Sequence, residues 1–522
     1  METHDYSEHL RRSSCCPCGP AGGGHDGGVS RRGFLAGLGG VALGGSVLTG
    51  LSWPALASGQ AQLPTPSKRR PLTVKPILTY STPTRRPQTS WRSWGGIQTE
   101  QDAEREVGRI KGELDKLRAS ADFPLTVLPV SAVRNKADVE KVDDLKSADA
   151  ILIYAAGGWM DMFEPLAAAG KPVIFFVRHR SGPVYLWYEI ISSRYLRQHT
   201  DRLAVKGIDF KDVVVDSQEE IAWRLRALCG LKNAMRTRIV AIGGPGGWSC
   251  PKAPELARER FKLDIQTVSY DELGELIKAA RKDQAAVGLA AKRAAAYLDD
   301  AKLTLETKKS YVENAFLLEQ VFRNVMARAQ ASAITVNHCM GTIMPIAETT
   351  ACLTLSLLND AGYLAFCESD FVVIPSGILL ANISGRPVFL NDPTYAHDGV
   401  ITLAHCTAPR KMDGKSLEPA RILTHFESDY GAAPKVEMRK GQKVTMIIPD
   451  FAARHWVGLT GEVIDSPFLD ICRSQIDVRF SVDSDRLNAA TPGFHWMLGY
   501  GDYLREVGYA LKRTAIEWEC LA

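Results

Sequence analysis

The chain has 522 residues, 45% of them apolar and 23% charged, with a formal charge of +4. This is the composition of an ordinary globular protein, and so long a chain carries two or three domains rather than one. The charge is small, and no basic run is interleaved with aromatics, which argues against nucleic acid as a partner.

The first 57 residues read as an address rather than as fold. Ser30-Arg31-Arg32-Gly33-Phe34-Leu35 has the shape of a twin-arginine export signal. A glycine-softened apolar run from Leu35 to Leu51 follows, and Ala55-Leu56-Ala57 is an A-x-A cleavage site. At about 17 residues the run is short and weakly apolar for a membrane span. The expectation is a protein carried folded by the twin-arginine machinery to the periplasm or beyond, its leader cleaved or kept as an anchor. Of 11 cysteines, Cys15, Cys16 and Cys18 fall in this leader. The other eight form no C-x-x-C pair, so they read as buried thiols rather than a disulfide framework, and their spacing gives no support to a Cys-rich zinc site.

After a linker over 58–75, apolar runs at 77–80, 125–130, 150–155 and 173–177 alternate with amphipathic stretches such as 100–117. That alternation predicts a doubly wound α/β domain over 76–235, its strands parallel. A second such domain is expected over 236–365, from Arg238-Ile239-Val240-Ala241-Ile242 through helices near 270–281 and 284–330 to the strand 333–338. From about 385 the pattern changes to short strands at 387–391, 400–405, 444–449, 456–463 and 476–482. These predict an antiparallel β-barrel or sandwich over 366–522, closed by an amphipathic helix at 500–512.

The stretch 345–370 concentrates the chemistry. Pro345 is expected to open a helix with Glu348 in its first turn, because proline is tolerated at the first helical position. An apolar run, Tyr363-Leu364-Ala365-Phe366, then leads into Cys367-Glu368-Ser369-Asp370. Acids after so apolar an approach are costly to bury unless a cation receives them, and a divalent metal is such a partner. If 367–370 is extended, Glu368 and Asp370 share a face.

Taken together, 333–341, the Glu348 helix, Asn359–Gly362, Cys367–Asp370, Ser384–Phe389 and the later Gly493-Phe494-His495 with Tyr500-Gly501-Asp502 resemble the L-fucose isomerase family and its arabinose isomerase relatives. The resemblance is strongest over 330–510. It implies two α/β domains followed by a barrel, a divalent metal (usually Mn2+), and ligands of Glu, Asp and His type. Glu348, Asp370 and His495 match those positions, with Glu368 the competitor for the role of Asp370. The implied reaction interconverts aldose and ketose through an enediol on a small-molecule sugar, with Glu348 and Asp370 as the acid–base pair, in a homo-oligomer. A non-catalytic exported carbohydrate-binding protein, or a metal-dependent lyase or hydrolase, is the alternative.

Other residues carry a functional and a structural reading side by side. His405 ends a strand and is either a satisfied structural histidine or a substrate contact. His338 stands at the carboxyl end of a strand, where open α/β sheets bind ligands. Arg86 and Trp91 after the first strand, and Arg178-His179-Arg180 after another, are hydroxyl-recognition candidates or solvated loops. Gly243-Gly244-Pro245-Gly246-Gly247 lacks the order of a phosphate-binding loop and reads as a strand-to-helix turn. His397, His425 and His455 form no pattern.

Overall fold

A computed structural model of the protein describes residues 63–197 and 207–521. The expected export signal and cleavage site lie outside the described residues. Two compact units are present. Among the described residues, one comprises 68–233 with Arg505–Ala515; the other holds Ala234–Leu504 and 516–521 with 63–67. The second parallel sheet and the barrel, expected as separate domains, pack as one unit, while the helix Leu504–Leu511 lies almost wholly within the first.

The first unit is built on a parallel sheet in the order Leu125–Val127, Leu72–Thr79, Ala150–Ala155, Val173–Val177, Val213–Val215, with Ser131–Val133 also pairing Leu72–Thr79. Its first strand begins inside the expected linker. Ala150–Ala155 and Val173–Val177 are buried at every position, as strands covered on both faces must be, and their sequences are correspondingly apolar throughout. The helix Glu100–Ser120 starts at Thr99, whose hydroxyl receives the Asp102 amide while the Asp102 carboxylate returns to the Thr99 amide. Arg178 is not a solvated loop cation. It is buried and holds Glu106 at 2.6 Å and Glu113 at 2.7 Å.

The second unit contains a four-stranded parallel sheet, ordered Leu364–Cys367, Ala333–Val336, Arg238–Ile242, Asp264–Val268. The chain runs outward from Arg238–Ile242 to Asp264–Val268, then returns to the other side of Arg238–Ile242. The two central strands therefore flank a topological switch point, where open sheets bind ligands at their carboxyl ends. The expected helical region 284–330 is two helices, Gln284–Leu298 and Lys309–Ala329, parted by the short strand Leu303–Leu305.

The expected Pro345 helix is corrected. A helix spans Cys339–Ala347 with Pro345 inside it, ends at Glu348 in the left-handed conformation (φ 51°), and is followed by Ala351–Asp360 at an angle of 91°. The helix continues two residues past Pro345, which lacks the N–H to pair with the preceding turn, and it closes at the left-handed Glu348.

Six strands close the barrel, in ring order Lys443–Pro449, Trp496–Tyr500, Phe389–Pro393, Val400–His405, Ser474–Arg479, His455–Asp465 and back to the first, every pairing antiparallel. Its core is filled by alternate residues: Val444, Met446 and Ile448; Val457 and Leu459; Ile476 and Val478; Trp496, Leu498 and Tyr500. Period-two alternation is what a barrel wall requires. Within the same unit a hairpin, Ala420–Leu423 with Ala433–Val436, adds in parallel to Leu303–Leu305.

Candidate metal centre

Strand ends of the second sheet and of the barrel converge on one imidazole. His495 directly precedes the strand Trp496–Tyr500, whose ladder pairs Trp496 with Asn391, so the next step brings Asp392 beside His495. From the parallel sheet, Leu364–Cys367 delivers Glu368 and Asp370. The segment is not extended as expected. Glu368 (φ 66°) and Ser369 (φ 49°) are both left-handed, an unusual pair of non-glycine residues. Such local strain, of order 1–3 kcal/mol per residue, persists where neighbours over-determine it and clusters at functional sites. Here the Gly246 amide donates to the Ser369 carbonyl at 3.0 Å, and the Phe371 amide to the Gly246 carbonyl at 3.1 Å.

The double turn sends the two acids to opposite edges of the His495 ring. Nδ1 donates to Asp370 Oδ2 at 2.6 Å, with both residues almost wholly buried. Nε2 lies 3.3 Å from Glu368 Oε2 and 3.1 Å from Asp392 Oδ1. Because an ionised Asp370 only accepts, it fixes the Nδ1–H tautomer. The neutral ring then turns a lone pair toward two carboxylate oxygens. A second proton, on the ring or on one of the carboxyls, or a cation relieves that arrangement. His405 stands on the far side of Glu368, its Nδ1 3.1 Å from the Thr407 hydroxyl and its Nε2 3.5 Å from Glu368 Oε1, close enough for charge attraction but not directed as a hydrogen bond.

Protonation equilibria report the same tension. Burial pulls the His405 imidazolium down, but Glu368 and Asp392 outweigh it and push the group up to about 9. Burial likewise opposes a charge on His495, yet Asp370, Asp392 and Glu368 hold it well above its ordinary value. Burial alone would raise the Glu368 carboxyl; the His405 and His495 imidazoles instead keep it well below the usual range. At neutral pH without a cation, two imidazolium rings are the counter-charge for this carboxylate cluster.

The donor set fits a hard divalent ion. Glu368 and Asp392 offer the carboxylate oxygens that suit Mn2+ and Mg2+, and His495 adds an imidazole nitrogen of the kind that binds transition metals. Asp392 Oδ2 and His405 Nε2 are buried with no hydrogen-bond partner. Such orphaned atoms are rare and call for an ion or water at the spot. Asp370, behind the ligand histidine, is the outer carboxylate that orients such rings and raises their basicity.

A cavity of about 430 Å³ opens beside this cluster at the switch point, lined by Pro245–Trp248, Asn337, His338 and Glu368 among others. The Trp248 indole donates to Glu368 Oε2 at 3.1 Å and meets the His495 ring edge-on, 5.6 Å between centroids. Gly247 permits that placement, since a Cβ there would stand 2.3 Å from the Cys250 carbonyl oxygen.

Of the residues singled out in the sequence, Asp370, His495, Glu368 and His405 come together, and His338 lines the cavity. Asp370 meets the far edge of the imidazole, not the side that faces Glu368 and Asp392. Glu348 does not join them. Its carboxylate is 57% exposed and ion-paired with Arg281. As the left-handed cap of its helix it projects outward, and its carbonyl receives Asn314 at 3.0 Å. Arg86 is exposed, and Trp91 stacks with Arg92 at 5.2 Å; both belong to the other compact unit. Asp392 and Trp248 were missed. Asp392 carries the signal that singled out Asp370, an acid directly after an apolar strand, here Val388-Phe389-Leu390-Asn391 and before Pro393. Trp248 ends the glycine run read as a plain turn.

The chain matches no protein-family model, and no curated protein matches it.

Proposed function

We propose that the chain is an exported, metal-dependent aldose–ketose isomerase, with Glu368, Asp392 and His495 rather than Glu348 and Asp370 as the ligands. One observation carries this reading: the His495 imidazole, locked by Asp370 on one edge, presents its other nitrogen between two carboxylates beside a sugar-sized cavity. The resemblance to the L-fucose isomerase family is a second support, and the family's usual Mn2+ suits the donor set. Bound there, the ion supplies a Lewis acid that polarises a sugar carbonyl.

The protein's own groups supply the rest. Glu368 lines the cavity and is ionised at neutral pH, so it is the carboxylate placed to take the proton from the carbon beside the carbonyl. Trp248 fixes its Oε2, which lowers the cost of aiming it. Asp392 Oδ2 and His405 Nε2, both without fixed partners, are the groups available to move a proton between the two sugar oxygens. Trp248 and Pro245 offer the apolar wall against which a sugar's C–H face packs.

The reading is tested by incubating purified protein and Mn2+ with a panel of aldoses and ketoses in D2O. Deuterium should enter the carbon beside the carbonyl, and Glu368→Gln should slow that exchange by roughly 10²–10⁴. No exchange in the parent with Mn2+, Mg2+, Co2+ or Zn2+, together with unchanged sugar binding by Glu368→Gln and Asp392→Asn, would leave a carbohydrate-binding protein instead.

A further inference from the structure

Cys352, Cys406 and His425 are scattered in sequence and form no spacing motif, yet each offers a ligand atom, and these atoms all lie within 4.8 Å of one another. All three residues are buried. Cys472 packs in the same cluster and touches Cys406. With Zn–S bonds of about 2.3 Å and Zn–N of about 2.0 Å, the ligands of a tetrahedral site stand roughly 3.5–3.8 Å apart, so Cys352, Cys406 and His425, now within 4.8 Å of one another, would close by at most about 1 Å. His425 is only 2% exposed, and its Nδ1 has no hydrogen-bond partner. A buried imidazole with an unused nitrogen among thiols is an incomplete arrangement unless something accepts both.

We infer that Cys352, Cys406, Cys472 and His425 form a structural zinc site, distinct from the carboxylate centre.

The backbone around the four residues is already fixed. Cys352 sits in the first turn of Ala351–Asp360, and that helix is tied to the segments of His425 and Cys406, while the segment of Cys472 is tied to the hairpin. The Leu353 amide and the Thr350 hydroxyl both donate to the Ala432 carbonyl, at 3.1 and 3.0 Å, holding the loop that begins at His425. Ser356 donates to the Ala408 carbonyl at 2.7 Å, holding the segment of Cys406. Ser474, two residues after Cys472, donates to the Pro434 carbonyl at 2.7 Å. Arg473 bonds the Thr424 carbonyl at 2.8 Å, which sets a cation beside a site whose three thiolates exceed the charge of the ion by one. Three sulfurs and one imidazole select zinc over the hard ions suited to the carboxylates, and a four-ligand closed set is structural rather than catalytic. The ion would clamp the helix, the hairpin and the strand end carrying His405.

The test is elemental analysis of the full chain purified without chelator, followed by replacement with Co2+. About one zinc per chain, and thiolate-to-cobalt charge-transfer absorption on replacement, are expected; carboxylate and imidazole ligands alone give no such band. His425→Ala and Cys406→Ser should retain at least tenfold less zinc, Cys472→Ser an intermediate amount, and Glu368→Gln the full amount. If Cys406→Ser does not fold, the cobalt spectrum of the parent and the zinc content of His425→Ala decide. A parent that takes up no zinc when it is supplied, shows no cobalt–thiolate band, or joins Cys352 to Cys406 in a disulfide overturns the assignment, as does undiminished zinc in a folded His425→Ala.

Discussion

Replacing Asp370 by asparagine should disable the candidate metal centre without unfolding it, because of how the carboxylate divides its two oxygens. Oδ1 accepts the Val372 amide at 3.0 Å, and Oδ2 accepts His495 Nδ1 at 2.6 Å. An asparagine can keep only one acceptor, and the Val372 amide, a fixed donor, claims it. The side-chain NH2 then faces Nδ1, which must become the acceptor, and the ring proton moves to Nε2. That is the nitrogen aimed at Glu368 and Asp392. A protonated Nε2 bonds those carboxylates well but cannot ligate an ion. Loss of an outer-shell partner of this kind costs 10–100-fold in metal affinity, or about 1.4–2.8 kcal/mol. The metal-free fold should lose less than the roughly 3–5 kcal/mol of a broken buried ion pair, since both hydrogen bonds are remade. Asp370→Ala leaves the Val372 amide and Nδ1 unmatched and should incur that full cost. Calorimetric titration with Mn2+ and denaturant unfolding of chelator-treated protein measure the two quantities. Manganese affinity within threefold of the parent in Asp370→Asn would refute the tautomer argument and with it the role of His495 Nε2.

Three further outcomes are expected. Glu348→Gln should leave manganese affinity unchanged and alter stability by at most about 1 kcal/mol, since its exposed pair with Arg281 is screened by solvent; a hundredfold loss of metal binding would return Glu348 to the site. In metal-free protein His405 titrates near 9 rather than 6.5, so its stabilisation is fully present below about pH 6.5 and is lost as pH rises through about 9. The difference is on the order of 3 kcal/mol, and unfolding at pH 6 and pH 10 should show a loss smaller by about that amount in His405→Gln than in the parent, the remainder belonging to groups such as His495 that are also held above their ordinary value. Gly431→Ala should destabilise by at least about 1 kcal/mol, because φ is +73° and the added Cβ would stand 2.5 Å from the Thr350 amide; a thermal midpoint equal to the parent's would contradict the close approach of the 425–432 loop to that helix.

Local pattern carried most of the architecture. Runs of four to six apolar residues punctuated by amphipathic stretches pointed to parallel sheets, and the short strands after residue 385 to an antiparallel barrel or sandwich, because both periodicities are set by which neighbours cover a strand; the closed ring was decided by the tertiary pairing. The same logic drew attention to Glu368 and Asp370, acids placed where only a partner could offset burial, and the family resemblance added His495. Sequence order could not say which of these groups face each other. Glu348 stood in the right stretch, yet it caps its helix in the left-handed conformation and pairs with Arg281, while Asp392 arrives through a barrel ladder with a residue more than a hundred positions later. Two consecutive left-handed residues, Glu368 and Ser369, place Glu368 and Asp370 on opposite edges of one ring, an outcome the alternation of a strand would exclude. Cys352, Cys406, His425 and Cys472 meet only because a helix, two strand ends and a hairpin loop are hydrogen-bonded to one another. Periodicity is a property of neighbours in the chain, so it fixes elements. A site is a property of neighbours in space, and here strand register and two helix breaks chose them.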